Sequence, residues 1–544
     1  MNTPLSGILP AAQWRFGLLP RLLIVNGFLA VETLLISGLI QSPRLLALTG
    51  AALVTHEIQH WAFRFLIAYA GSVAILLYLR GAETGAAAGS NMADAPVSMR
   101  WLIAHGLLLI TFALLSTALY RGGNIPFSLL AVGWHAFGFA AALALFLAAA
   151  PLQSWLKALR KTGALTAYAL IPAAAALVVY KASQLLWGPA AALTFQLVRW
   201  IVRPFTPSLT IDSSTLTLIT PNFSVQVSEV CSGLEGVGLM LVFCAAWLWY
   251  FRREYIFPRA LLIVPVAVLV IFLLNALRIA ALVFIGDAGH QRIAAVGFHS
   301  QAGWIAFNLA AFGVALVTKH SAWLNRRARH FESAAGQDAT AAFLMPLLAI
   351  LAAGMIARAL SAGFDLFYPL RLACAAVVLF VYRGAYRSLD WGFSWRGVAA
   401  GLGVFVLWAL IAHFLAAPAP IPGDLAGLSA PLRAAWIICR AAAAIITVPI
   451  AEELAYRGFL MRRLVKADFA AVMLQSVPWW AIAISAAAFG IMHGNLWFPG
   501  IVAGFVYGAV AVKTGKIGES VAAHATTNSL IAIQVLLFGQ WQLW

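Results

Sequence analysis

The sequence predicts an all-α, polytopic transmembrane helix bundle in two modules, with one small β-hairpin outside the bilayer just before Cys231. Three observations predict it. The hydrophobic share is 63%, the charged share only 10% and the mean hydropathy +0.91, whereas soluble domains carry about a quarter charged residues. Apolar runs of the length that crosses hydrocarbon recur along the whole chain. Lys and Arg collect between those runs, as they do in the cytoplasmic connections of multi-span proteins.

The apolar runs are 21–40, 61–80, 101–120, 127–150, 163–187, 233–250, 258–286, 301–318, 341–360, 367–382, 397–417, 434–450, 472–492 and 520–538. With no cleavable signal evident, the first run reads as an anchor. The net charge of +17 is spread over separate clusters: Lys157, Arg160 and Lys161; Arg252 and Arg253; Lys319 to Arg329; Arg383, Arg387 and Arg396; Arg462, Arg463 and Lys466. Spans interrupt these clusters, so they form no single basic stripe and exclude a nucleic-acid partner; the bilayer itself is the partner. Of the four cysteines, Cys244, Cys374 and Cys439 lie inside apolar runs and read as core residues. Four thiols in a chain of this length make no disulfide framework.

The polar stretch from Lys319 to Thr340 divides the chain into an N-terminal module, 1–320 with its core at about 100–320, a cytoplasmic joint, 321–340, and a C-terminal module, 341–544. No internal repeat relates the halves. A second polar stretch, Pro204 to Glu229, alternates Thr, Ser, Val and Ile around Pro221–Asn222, and predicts the hairpin. If the basic connections are cytoplasmic, the run 163–187 goes outward and places the hairpin outside. Cys231, Arg278 and His299 then fall at one depth on the outer face, although none of them entered the assignment.

Their chemistry fits a thiol nucleophile. Cys231, in SEVCSGLEG, stands where an outer segment enters a span, and a nucleophilic cysteine needs exposure and a stabilised thiolate. Arg278, in NALRIAALV, is a cation in an apolar run and needs a partner or a function. His299, in GFHSQAGW, can carry a proton. The competing readings are a structural cysteine, a snorkelling arginine and an interfacial histidine. The pieces CSG, N-x-x-R-I and H-x-x-x-G-W, in that order, resemble the exosortase family of bacterial membrane cysteine transpeptidases. The resemblance covers roughly 100–320. It implies that Cys231 is the nucleophile, Arg278 the stabiliser of thiolate or oxyanion, and His299 the proton carrier. It also implies exported substrates ending in a sorting motif, a membrane helix and a basic tail, handled at the bacterial inner (cytoplasmic) membrane.

A second constellation lies in the C-terminal module. In ITVPIAEELAYRGFLMRRL, Glu453 and Arg457 are spaced i, i+4 and share a helix face. Glu452 projects about 100° away and stays uncommitted, which suits a general base with a raised pKa. His493 closes FGIMH; His524 and Asn528, in HATTN, share a face and suit an oxyanion. The bland alternative is polar residues holding helices together. The ordered set E-E-x-x-x-R, F-x-x-x-H and H-x-x-x-N resembles the CAAX protease and bacteriocin-processing family of glutamate intramembrane proteases over roughly 341–544. By that resemblance Glu452 and His493 activate water, and His524 and Asn528 hold the oxyanion. A Glu/His/His metal site is the alternative; the resemblance favours a metal-free site, and neither module calls for a cofactor.

His56, Glu57 and His60 form H-E-x-x-H, a zinc-protease motif; without a third ligand nearby it reads as a polar interfacial turn. A transporter, with charges lining a path, and a non-catalytic assembly scaffold are the competing function classes. Neither paired broken helices nor inverted halves support the first.

Overall fold

The computed structural model describes residues 97–121, 127–326, 339–415 and 419–544, with isolated positions between 25 and 76. The H-E-x-x-H segment lies outside the described residues, as do most of the runs 21–40 and 61–80; the described positions of those runs are helical. Eleven helices among the described residues are long and apolar enough to cross a membrane. Pro369–Val381 and Trp479–Ile491 are shorter apolar helices. The chain is a polytopic helical bundle.

Two compact units divide it, residues 1–185 and 186–544. The first contains α1 (Met99–Arg121), α2 (Phe127–Ala149) and α3 (Leu152–Leu185). Here Lys157, Arg160 and Lys161 are not in a loop, as the sequence suggested, because α3 runs through them ahead of its apolar part. His105 of α1 joins the carbonyl of Ala141 at 2.9 Å and Glu32 at 2.8 Å.

The second unit opens with α4 (Trp187–Val202), an amphipathic helix absent from the predicted runs. A three-stranded antiparallel sheet follows: β1 (Thr210–Asp212), β2 (Thr217–Ile219) and β3 (Ser224–Gln226). The predicted hairpin is its β2–β3 half, turning at Pro221–Asn222. In the β1–β2 turn, Asp212 accepts hydrogen bonds from the Ser214 and Thr215 hydroxyls. These bonds favour the charged carboxylate and hold its pKa down at about 2. Leu218 of β2 packs into a buried cluster with Phe195 and Val198 of α4 and Ile279 and Val283 of α6 (Ile263–Asp287). Asn222 donates to the Asp287 carbonyl at 2.9 Å, tying the sheet to the end of α6.

Helices α5 (Leu234–Tyr250), α6 and α7 (His299–His320) share a second core through Met240, Cys244, Ile271, Ala310 and Val314. At the other end of these helices Tyr255 pairs with Asn325, so the Arg252–Arg253 connection and the start of the polar joint lie together. Next come α8 (Ala339–Ala359), α9 (Pro369–Val381) and α10 (Trp395–Leu415). A continuous helical segment of 36 residues then runs from Ala430 to Val465. It is twice loosened into π turns, Ala443–Thr447 and Leu454–Leu460, on either side of α11 (Val448–Glu453). Helices α12 (Trp479–Ile491), α13 (Trp497–Thr514) and α14 (Ile517–Phe538) complete the unit.

Helix α13 is the span missed in the sequence. Glycines at 500, 504 and 508 dilute its hydropathy, and the structure shows their purpose. A Cβ on Gly500 would sit 3.0 Å from the Gly490 Cα, and one on Gly504 3.0 Å from the Ala486 Cα. Lipid supplies no hydrophobic drive between helices, so such small-residue contacts let α12 and α13 close on each other.

Candidate active sites

The first site begins with a backbone kink. Gly233 adopts φ +84°, in the left-handed region that glycine reaches at no steric cost. A Cβ there would also lie 2.8 Å from the Asn275 amide nitrogen. That amide donates to the Cys231 carbonyl at 3.0 Å, while Thr194 donates to the Ser232 carbonyl at 3.0 Å. The loop is thus pinned from α6 and α4. Cys231 is half-buried, with the Ser228 hydroxyl 3.7 Å from its sulfur.

Cys231, Arg278 and His299 line one cavity of about 240 Å³, together with Glu235, Asn275, Ser300, Gly303 and Trp304. Arg278 is half-buried and its Nε has no hydrogen-bond partner among the described residues. A Cβ on Gly303 would fall 2.9 Å from Arg278 Nη1, so the glycine of the H-x-x-x-G-W motif makes room for the guanidinium. His299, exposed, starts α7 directly after a π turn, Ile293–Phe298. A thiol from the turn before α5, a fixed cation from within α6 and an imidazole from the start of α7 therefore line one space. Sequence reasoning had not singled out Asn275 or Glu235. Asn275 was visible as the first residue of N-x-x-R, one turn before Arg278.

The second site is enclosed. Glu453 and Arg457 pair at 3.0 Å with side chains 0% and 1% exposed. Arg457 also donates to the Gly504 carbonyl at 2.7 Å. His524 Nδ1 lies 3.0 Å from the same Glu453 oxygen. Held by Arg457, that oxygen accepts, so Nδ1 donates and Nε2 is turned toward Glu452 Oε2 at 3.8 Å. The imidazole beside Glu452 is thus that of His524. That Glu452 oxygen is buried without a hydrogen-bond partner among the described residues. His493 Nδ1 bonds the Phe489 carbonyl at 2.8 Å, which can only accept, so its Nε2 keeps a free lone pair. The Phe489 ring lies against both imidazoles, 4.6 Å from His493 and 5.6 Å from His524.

Asn528, the predicted partner of His524, donates to the Ala444 carbonyl at 2.7 Å and so braces the first π turn. Tyr507 was missed because its span was missed. Its ring stacks on His524 at 5.0 Å, and its hydroxyl donates to Thr527 at 2.7 Å.

Two family models match this chain. Residues 67–318 match the transmembrane exosortase family. Residues 434–530 match the family described as type II CAAX prenyl endopeptidase, Rce1-like. An uncharacterized protein of Bacillus subtilis (strain 168), YyaK, is 32% identical over 114 residues, 19% of this chain and 35% of that protein. The chain thus spans about a third of that relative's length. No solved structure matches. The two matches fall on either side of the polar joint, in a chain whose long apolar helices make it a multi-pass membrane protein.

Proposed function

We propose that this chain, an exosortase segment joined to a type II CAAX endopeptidase segment, carries two separate proteolytic chemistries at the bacterial inner membrane. The observation that carries the first is the single cavity shared by Cys231, Arg278 and His299. In this reading the Cys231 thiolate attacks the carbonyl carbon of a sorting-signal peptide bond. The sulfur–carbon bond forms, and the carbon–nitrogen bond breaks as His299 passes its proton to the leaving amine. Arg278 offsets the charge on thiolate and oxyanion. The thioester then passes to an acceptor nucleophile. The substrates are exported proteins whose C-terminus carries a motif, a membrane helix and a basic tail.

In the second module Glu452 serves as general base, with the free lone pair of His493 as the other acceptor for the protons of the attacking water. His524 keeps its Nδ1–H on Glu453 and, as the imidazolium, offers Nε2–H to the oxyanion, while Asn528 offers the amide hydrogen that Ala444 does not take. The carbon–nitrogen bond then breaks as Glu452 passes the proton taken from water to the leaving amine. The enclosure of Glu453 and Arg457 supports a fixed electrostatic frame around Glu452 in place of a second base.

Replacing Cys231 with Ala tests the first half. Full-length precursor should accumulate in the membrane, with processing reduced on the order of 10³-fold or more. Normal maturation in that variant would sink the thiol reading.

A further inference from the structure

We infer that the second module positions His299 for chemistry in the first, through a backbone contact at Gly297; the inference rests on the thiol-protease reading given above.

Helix α8 belongs to the second module by sequence and follows the polar joint. Its far end meets the first module at the π turn Ile293–Phe298. A Cβ on Gly297 would lie 2.0 Å from the Ser361 carbonyl oxygen and 2.5 Å from that of Arg358. Nothing larger than a hydrogen atom fits between these chains. Both opposing groups are backbone, so neither can swing aside as a side chain would. Arg292, one residue before the π turn, adds a second tie by donating to the Ala362 carbonyl at 3.4 Å. Ser361 is itself fixed, because its hydroxyl donates to the Ala357 carbonyl at 2.7 Å.

Two residues after Gly297 comes His299, the first residue of α7. The π turn sets the rotation with which α7 starts, and hence where the imidazole points into the cavity. Single π turns inside helices are rare and occur often at functional sites; here the end of α8 packs directly against one. His299 is otherwise exposed, and the hydroxyl of its neighbour Ser300 donates backward into the π turn, to the Val296 and Gly297 carbonyls.

The same helix reaches the second site. Ile350 of α8 shares a buried cluster with Ala451, which directly precedes Glu452. Phe343 of α8 packs where a Cβ on Gly458, next to Arg457, would lie 2.5 Å from the ring. One rod of 21 residues, about 30 Å long, therefore touches the frame of both sites. That gives the fusion a physical role: the second module supplies the stop against which the histidine of the first is set.

The experiment uses the full chain in membranes with a precursor carrying a C-terminal sorting signal. Gly297→Val should lower kcat for processing at least tenfold while KM stays within twofold. It should also shift the pH profile of Cys231 alkylation by iodoacetamide, because the imidazole no longer faces the thiol. Cleavage of a membrane peptide by the second module should hold within twofold. If the valine variant fails to insert, Gly297→Ala read by the same alkylation profile decides, since even one methyl requires the contact to open. A folded Gly297 variant with wild-type kcat and an unchanged profile would overturn the inference. So would reduced processing that tracks protein yield alone. Normal processing by Cys231→Ala would instead bring down the protease reading and leave the Gly297 contact as mere packing.

Discussion

The two sites hold charge beside hydrocarbon in opposite ways. Around Cys231 the groups stand apart in an open cavity: His299 and Glu235 are exposed, and Arg278 is half-buried with its Nε unbonded among the described residues. Around Glu452 they are locked together: Arg457, Glu453 and His524 form a chain at 3.0 Å steps, buried throughout. Water and substrate can solvate the first set, so its members are free to change charge during reaction. The second set is desolvated, so each charge persists only because another faces it. The contrast teaches that losing one group should silence the open site without unfolding it, whereas in the closed site only the uncommitted group can be lost so cheaply.

The sharpest break in that comparison lies within the closed site. Glu452→Gln should cost about a hundredfold to ten-thousandfold in cleavage of a membrane peptide and leave thermal stability within a few degrees. Glu453→Gln should do the reverse first: it strands a buried guanidinium, a change of about 3–5 kcal/mol, and lowers the yield of folded protein. Equal stability of the two variants would mean that the Glu453–Arg457 pair is not what frames the site. Inhibition by a chelator with rescue by zinc would make Glu452, His493 and His524 metal ligands instead.

In the open site, Arg278→Lys should reduce processing about tenfold to a hundredfold with the fold intact, since an ammonium cannot reproduce the planar fork for which Gly303 leaves room. Wild-type rates in the Lys variant would mean that Arg278 only snorkels. The smallest effect should come from Asn275→Ala. It removes one hydrogen bond to the Cys231 carbonyl, about 1 kcal/mol, so processing should fall about fivefold. A loss as large as that of Cys231→Ala would give Asn275 a place in the chemistry itself.

Much of this was legible in the sequence. Composition and repeated apolar runs dictated a membrane bundle, because so few charges cannot clothe a water-facing surface. The i, i+4 spacing of Glu453 and Arg457 read directly as a pair. Other features were hidden for physical reasons. Helix α13 trades hydropathy for glycines that allow close packing, so Tyr507 and the Gly504 carbonyl escaped notice. The orientation of His524 toward both glutamates depends on where α14 lies against α11, which no local spacing encodes. The Gly297 contact joins residues more than sixty positions apart through backbone atoms, and a lone glycine in a span carries no signal of that.

The central claim is that Cys231 forms a covalent bond with its substrate while the second site works independently of that step. The direct measurement is mass spectrometry of the Cys231 peptide after brief incubation of the full chain with precursor, followed by hydroxylamine treatment. The account predicts a hydroxylamine-labile acyl adduct on Cys231 in the wild type and in Glu452→Gln, and none in Cys231→Ala. Processing without any adduct, or an adduct that disappears when Glu452 alone is replaced, would contradict it.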